Sequence, residues 1–282
     1  MLKLLVLILV ILLYAIGRER GIVTFVSLCF NIAALSASII MMSWGWDPVA
    51  VTIMSCFVIC YVTLFYQNGK NSKTFSSFFS VAAVLLILFA ISCFIGYRSH
   101  SGGINEIMQL EDEITRYAPD INIDMSKIAV SMILTGLIGA AMDASIAVAS
   151  AVYEVYKNNR NLSIMELYQS GISIGGDILG TTMNTLYFAC LGESLSLFIL
   201  LKNYQYSVLD MINSKAFFQE FTDVTISCIG CILVIPFTAI SIAYVIKNLS
   251  QFERFLPDEE LLLELAEQNE KEDDQRTRFS NY

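Results

Sequence analysis

Charged side chains are scarce in this sequence, at 15% of the 282 residues, whereas 56% of the residues are hydrophobic. Soluble domains carry about 25% charged residues. The mean hydropathy of the chain is +0.63, which is also on the apolar side. The composition therefore excludes an ordinary soluble domain and indicates a protein embedded in a lipid bilayer.

Residues that carry enzymatic chemistry are few as well. His100 is the only histidine, and the chain has no HExxH or P-loop motif and no cysteine–histidine arrangement. The usual general base and the nucleotide-binding loop are therefore missing. We expect no enzymatic activity, no ATP hydrolysis and no cofactor.

The cysteines do not form a metal or disulfide pattern. Seven is an odd number, and all seven fall inside apolar runs: Cys29, Cys56, Cys60, Cys93, Cys190, Cys228 and Cys231. Neither the CxxxC nor the CxxC spacing is matched by a second pair or by a histidine, which disfavours disulfides and zinc. We expect no metal, and we interpret the cysteines as small buried apolar residues.

The net charge of −9 comes from two local clusters of acids. Residues 98–126 hold six acids against two bases, and residues 251–282 hold ten acids against four bases. These charges belong to a solvated loop and a solvated tail. Nucleic acid is therefore not expected as a partner.

Long apolar runs predict an all-α fold, a polytopic transmembrane helix bundle of about seven spans with short interfacial helices. The spans are expected near residues 2–16, 22–42, 48–66, 78–97, 127–153, 177–201 and 224–246. Together they form a transmembrane domain over residues 1–250. Residues 251–282 are expected to form an acidic cytoplasmic tail that is partly disordered.

The first apolar run, Leu4–Ile16, covers 13 residues, whereas a span needs about 17 to 25. It is either a short retained helix or the apolar part of a signal peptide. We favour the retained helix because a polar region before a cleavage site is missing. A turn over Arg18–Gly21 then separates this helix from the second span.

The basic residues of the short links predict the orientation. If the spans alternate in direction, these basic residues all fall on one side of the membrane: Arg18, Arg20, Lys70, Lys73, Lys157, Arg160, Lys247 and Arg254. That side should be the cytoplasm, which places the N-terminus outside and the C-terminus inside.

Short amphipathic segments are expected at the interfaces. Ser163 and Glu166 fit a capping box and predict a short helix that stops at Gly171. Residues 208–221 predict a similar helix on the opposite side, and residues 104–117 predict a surface helix.

The fifth span carries polar residues that lipid should reject. Ser150 and Glu154 follow Asp143 by 7 and 11 residues, and these spacings place all three on one helix face. Gly136 and Gly139 add small residues that let another backbone approach closely. An aspartate near mid-membrane costs about 2.5 to 3.5 kcal/mol on insertion scales, so we expect Asp143 to be paired, protonated or hydrated.

The sixth span repeats this pattern with Asp177, Thr181 and Asn184 at i, i+4 and i+7, and with a GxxxG pair at Gly176 and Gly180. Two matching stripes suggest that the two spans meet along them. The polar residues either join helices through hydrogen bonds or form a hydrated site for an ion, proton or substrate. Asp177 lies either in the membrane or at the inner interface, where a helix N-terminus would stabilise it.

Two stretches of the chain carry a resemblance to a known family: residues 136–155, GLIGAAMDASIAVASAVYEV, and residues 170–189, SGISIGGDILGTTMNTLYFA. Together they resemble the paired signature of the YibE/F-like family of bacterial membrane proteins. The short form of the chain is similar to the YibF type. The resemblance implies a multi-pass protein of the bacterial cytoplasmic membrane, for which efflux is suggested, and a paired YibE-type membrane protein as a partner. The family pattern falls on Asp143, Ser150, Glu154, Ser170, Gly171, Gly175, Asp177, Gly180, Thr181, Asn184 and Thr185.

Three positions depart from the family pattern. Gly176 stands where the family usually has arginine, Thr182 where it has methionine, and Cys190 where tyrosine is common. Loss of the arginine argues against an adjacent ion pair for Asp177 and favours a neutral or cation-bound carboxyl group.

Two functions follow from these features. In the first, the chain is a permease or efflux subunit whose two stripes line a path for an unknown small solute or ion. In the second, it is a non-transporting scaffold in a heteromeric complex or a homo-oligomer. The candidate binding residues are Asp143, Ser150, Glu154, Asp177, Thr181 and Asn184.

Overall fold

The computed structural model describes residues 1–98, 125–203 and 205–248. Regular secondary structure within these ranges is helical throughout, which confirms the predicted all-α bundle. The predicted surface helix over residues 104–117 and the predicted tail over residues 251–282 lie outside the described residues. The α-helices are α1 Leu2–Ser43, α2 Pro48–Tyr61, α3 Ser72–Arg98, α4 Met125–Asn158, α5 Ile164–Asn203, α6 Val208–Ile212 and α7 Lys215–Lys247.

Within the described ranges, five helical segments are long and apolar enough to cross a membrane, by length and composition. They are Lys3–Ser43, Pro48–Tyr66, Ser72–Ser92, Lys127–Asn158 and Phe217–Lys247. The second of these includes a π-helical turn, Val62–Tyr66, that follows α2. Helix α5, which carries the Asp177 stripe, is not among the five. The number of seven spans and their limits stay predictions.

Helix α1 bends sharply where the sequence predicts a turn. Arg18 leaves the helical conformation, with φ of 47° and ψ of −123°. The backbone then comes so close to itself that a Cβ at Gly21 would overlap the carbonyl oxygen of Leu13. Only glycine fits at position 21, because any side chain would push the two limbs of α1 apart.

The centre of the bundle is formed by α3, α4 and α7, which pack against one another. Helix α5 packs on α4 and α7, α2 packs on α4, and α1 packs on α2. Leu88, Leu137, Val148 and Ile242 are fully buried in this centre. A Cβ at Gly230 of α7 would overlap both leucine side chains, so the glycine makes room for them. Close packing of this kind holds helices together in a bilayer.

Several basic side chains gather at one end of the bundle. The Lys73 ammonium lies 3.5 Å from Glu154 Oε1, and Lys247 Nζ donates a hydrogen bond to the Arg160 carbonyl oxygen at 2.9 Å. Tyr156 lies beneath Lys247, with 5.2 Å between the ammonium nitrogen and the ring centroid. The grouping fits an alternating arrangement of spans. That this end faces the cytoplasm stays a prediction.

The predicted capping box is present, but the helix it starts is much longer than expected. The Ser163 N–H donates to Glu166 Oε2 at 2.7 Å, and the Glu166 N–H donates to Ser163 Oγ at 3.3 Å. The helix does not stop at Gly171, however, and runs to Asn203 as α5. The separate short helix predicted here is wrong, because Gly171 serves close packing inside a helix and does not end it.

The segment over residues 208–221 also differs from the prediction of one interfacial helix. Helix α6 covers only Val208–Ile212. Ser214 then caps a new helix, because its Oγ accepts a hydrogen bond from the Phe217 N–H at 3.2 Å. Helix α7 therefore begins at Lys215 and not near residue 224.

At the end of the bundle opposite Lys73, Asp47 connects two helices. Its carboxylate accepts hydrogen bonds from the N–H groups of Val49 at 3.1 Å and Ala50 at 3.3 Å, which caps α2. It also pairs with the ammonium group of Lys127 on α4. The Lys127 hydrogen bond and the two N–H groups hold the pKa of Asp47 below its ordinary value.

Replacing Asp47 with alanine should lower the melting temperature of the detergent-solubilised protein more than replacing it with asparagine. Asparagine keeps the helix cap, which contributes about 1 kcal/mol, and loses only an exposed ion pair, which contributes about 1 kcal/mol or less. Because the folded-state pKa is depressed, the carboxylate stabilises the fold above the unfolded pKa of about 3.9. That stabilisation is lost as the pH falls through the folded-state pKa. Melting curves between about pH 7 and pH 3 check both points, and equal melting temperatures of the two variants would rule out the cap.

Candidate functional site

One face of α4 is exposed and polar. Gly136, Gly139 and Asp143 lie on this face at helical spacing, and all three are exposed. No other described helix comes within 4 Å of the position that a Cβ at Gly139 would occupy. The opposite side of α4 points into the bundle, where Ser145 and Val148 are fully buried. The Asp143 stripe is therefore part of the surface of the folded chain.

The Asp177 stripe of α5 is exposed in the same way. Asp177, Thr181 and Asn184 are exposed, and the space beside Gly176 and Gly180 is open to 4 Å in the described structure. The Thr181 hydroxyl donates to the Ile178 carbonyl oxygen of its own helix at 2.8 Å, so it is already satisfied. We call the two stripes together the open face: Gly136, Gly139 and Asp143 of α4 with Gly176, Asp177, Gly180, Thr181 and Asn184 of α5.

A different pair of glycines makes the contact between α5 and the bundle. A Cβ at Gly171 would lie 2.7 Å from Ala239 Cβ and 2.9 Å from Val152 Cγ2. A Cβ at Gly175 would overlap the side chain of Ile235. Helix α5 is therefore held against α4 and α7 by the side opposite its polar stripe.

This arrangement differs from the expectation that the two stripes meet. Helices α4 and α5 do pack together, but through Gly171 and Val152, and not through Asp143 and Asp177. The physical reason is that α5 contains two pairs of glycines at i and i+4. A small-residue pair favours close approach of any helix, and the fold uses the pair at Gly171 and Gly175 for its own packing.

Asp143 and Asp177 nevertheless lie at similar depth. Gly171 is beside Val152, and α4 and α5 run antiparallel because the link between them is short. Asp143 lies nine residues before Val152 on α4, and Gly180 lies nine residues after Gly171 on α5. Because the helices are antiparallel, both residues are about 14 Å from the contact in the same direction, at 1.5 Å per residue. Asp177 is about one helical turn away from that level. The two acids therefore share one region of the open face.

The acids of the open face lack protein partners in the described part of the chain. Asp143, Asp177 and Asn184 make no hydrogen bond or ion pair there through their side chains. A carboxylate in that position needs water, a cation, a proton or a group from another chain.

Ser150 and Glu154, the other two predicted residues of the α4 stripe, lie towards the end of the bundle. Ser150 is half-buried. Glu154 is exposed and forms the ion pair with Lys73 of α3. Glu154 thus belongs to the charged end of the bundle and already has a basic partner, unlike the two aspartates.

Asp223 of α7 is a further acid beside the open face that the sequence reasoning missed. Its two carboxylate oxygens lie 3.5 Å from the position that a Cβ at Gly136 would occupy. The prediction missed it because it began the last span at Val224 and so left Asp223 in a loop. The capping residue Ser214 was the signal that the helix begins earlier.

Among the described residues, no group of three His, Cys, Asp or Glu side chains has the arrangement of a metal site. A described cleft between α2, α3 and α4 has an apolar lining and is separate from the open face. Its lining residues are Ile53, Cys56, Phe57, Leu85, Leu86, Phe89 and Leu134.

Long apolar helices packed in a bundle, with basic side chains gathered at one end, define a polytopic α-helical membrane protein. The family model described as YibE/F-like protein matches residues 5–248. The chain therefore belongs to the YibE/F-like family. No curated protein and no solved structure matches it.

Proposed function

We propose that the chain is the membrane subunit of a permease, and that its open face forms one wall of a path for a small cation or a proton-coupled solute. One observation carries this proposal: Asp143 and Asp177 are exposed on neighbouring helices, without a bonded partner in the described residues. Lipid contact would cost each carboxylate about 2.5 to 3.5 kcal/mol near the bilayer centre. Water, a bound cation or a proton removes that cost, and all three belong to a transport path.

A single chain supplies only one wall of such a path. The open space beside Gly139, Gly176 and Gly180 admits the backbone of another helix at close range. We propose that a second subunit covers the open face, either another copy of the chain or a paired YibE-type protein. In this arrangement the complex lies in a bacterial plasma membrane, with the Lys73 and Lys247 end and the C-terminus in the cytoplasm.

Asp143→Asn and Asp177→Asn should each slow proton movement about tenfold or more, because asparagine can neither titrate nor bind a cation through a charged oxygen. The measurement uses vesicles from cells that produce the chain, so that any partner subunit is present. A pH-sensitive dye inside the vesicles reports the response to an imposed pH gradient. Asp47→Asn, which changes an acid at the end of the bundle, is the matched control and should keep the flux. Unchanged rates in both intramembrane variants would refute a proton path through these two acids.

A non-transporting subunit that holds a complex together is the second candidate. The open space beside the glycines favours it, since small-residue surfaces also serve helix association alone. Gly180→Leu fills that space and serves as the reference for lost assembly on native gels. If Asp143→Asn stops flux while the complex keeps its size, the permease is supported. If Asp143→Asn shrinks the complex as Gly180→Leu does, the acid serves assembly.

A further inference from the structure

Two lysines from different helices lie against the last turns of α4. Lys73, at the start of α3, has its ammonium nitrogen 4.5 Å from the centroid of the Tyr153 ring. Lys247, the last residue of α7, lies 5.2 Å from the centroid of the Tyr156 ring. Residues three apart are neighbours on a helix face. The two ammonium groups are therefore held over neighbouring rings of one helix.

Lys157 adds a third positive charge to this place. It follows Tyr153 by four residues, so it shares the same face of α4. Its side chain is exposed and has no ion-pair partner among the described residues. Helices α3, α4 and α7 pack together in pairs, and we call Lys73, Lys157 and Lys247 the lysine junction.

The lysine junction keeps positive charge after its internal contacts are counted. Lys73 pairs with Glu154 at 3.5 Å. Lys247 donates to the Arg160 carbonyl oxygen, which carries no full charge, and it also interacts electrostatically with the exposed carboxylate of Glu166. Three lysines and an arginine thus face two acids. Each ammonium group has three N–H donors, so donors remain for an anion.

An apolar stripe leads from Lys247 along α7. Phe237, Ile240 and Tyr244 are 39%, 55% and 49% exposed. They lie at intervals of three and four residues, and Lys247 follows Tyr244 by three, so all four share one helix face. The segment Phe217–Lys247 is long and apolar enough to cross a membrane. The stripe therefore offers an acyl chain a surface that ends at a basic group.

We propose that the lysine junction binds the phosphate group of an anionic phospholipid, whose acyl chain lies along the α7 stripe. Basic pockets between transmembrane helices are suited to anionic headgroups, and lysine binds phosphate as a point charge. The site is separate from the open face and does not depend on the proposed transport.

Native mass spectrometry of the full chain in neutral detergent tests this site. With equal amounts of phosphatidylglycerol and phosphatidylcholine of the same acyl chains, the protein should retain mainly phosphatidylglycerol, because choline balances the phosphate charge of the other lipid. Lys157→Gln should weaken phosphatidylglycerol binding about fivefold, the effect of one basic residue near a membrane surface. Lys202→Gln changes an exposed lysine in the last turn of α5 and is the matched control. Equal binding by the Lys157 and Lys202 variants would overturn the proposal.

Glu154→Gln gives a result in the opposite direction. It removes the acid that pairs with Lys73, so it should strengthen phosphatidylglycerol binding, and weaker binding would contradict the proposal. Inorganic phosphate, compared with chloride at equal ionic strength, separates a lipid from a soluble ligand. Retention of phosphatidylglycerol in both salts supports a lipid site. Its displacement by phosphate alone would assign the site to a soluble phosphate and overturn the lipid.

Discussion

Replacing Gly171 with valine should destabilise the protein by about 3 kcal/mol, the upper range for overpacking a close contact. A Cβ at this position would already lie 2.7 Å from Ala239 Cβ and 2.9 Å from Val152 Cγ2. Neither neighbour can move aside, because alanine has no rotamer to change and valine in a helix has essentially one. Chemical unfolding in detergent micelles measures the loss.

Gly176→Val is the matched control for this experiment. It makes the same exchange five residues further along α5, where the described structure has open space to 4 Å. Its effect on unfolding should be small, because valine in a helix is no worse than glycine. Equal destabilisation by the two substitutions would mean that α5 does not pack through the Gly171 side.

Gly230→Ala and Leu137→Ala should each destabilise the protein, and together they should cost less than the sum. The first makes a Cβ that overlaps Leu137 Cδ1. The second leaves a cavity at a fully buried leucine, which typically costs about 2 to 5 kcal/mol. In the double variant the new methyl group takes up part of the vacated space. We expect a coupling free energy of about 1 to 3 kcal/mol from the double-mutant cycle.

Gly139→Ala combined with Leu137→Ala is the control cycle. Gly139 lies on α4 near Leu137, but no other described helix is within 4 Å of its Cβ position. The two effects should therefore add. Additive effects in the Gly230 cycle would show that Leu137 does not occupy the space above that glycine.

The all-α bundle and the position of the first bend could be predicted from the sequence, because both follow from local patterns. Apolar runs of span length predict helices wherever they occur. The Arg18–Gly21 segment interrupts such a run with three charged residues and a glycine, and the bend at Arg18 lies inside it. The shared face of Gly139 and Asp143 follows from helix periodicity alone.

The direction in which the stripes face could not be predicted. Periodicity shows which residues share a side of α5, but not whether that side meets the bundle. Gly171 and Gly175 on one side and Gly176 and Gly180 on the other are equivalent patterns in the sequence. The choice between them depends on which side Val152, Ala239 and Ile235 fit, and these residues come from two other helices.

The start of α7 was missed for a different reason. Residues 215–223 carry three charged side chains among aromatic ones, so hydropathy is low over the first turns of the helix. The cap at Ser214 extends the helix over this stretch. Asp223 consequently lies on a helix beside Gly136, a relation between two helices that spacing within either one does not contain.

The glycines on both sides of α5 expose this one helix to two kinds of selection. A change at Gly171 or Gly175 must be compensated inside this chain, at Val152, Ala239 or Ile235. If the proposed second subunit covers Gly176 and Gly180, a change there must be compensated in that subunit. Adjacent residues such as Gly175 and Gly176 would then be constrained by different proteins, Gly175 by contacts within this chain and Gly176 by contacts with the second subunit.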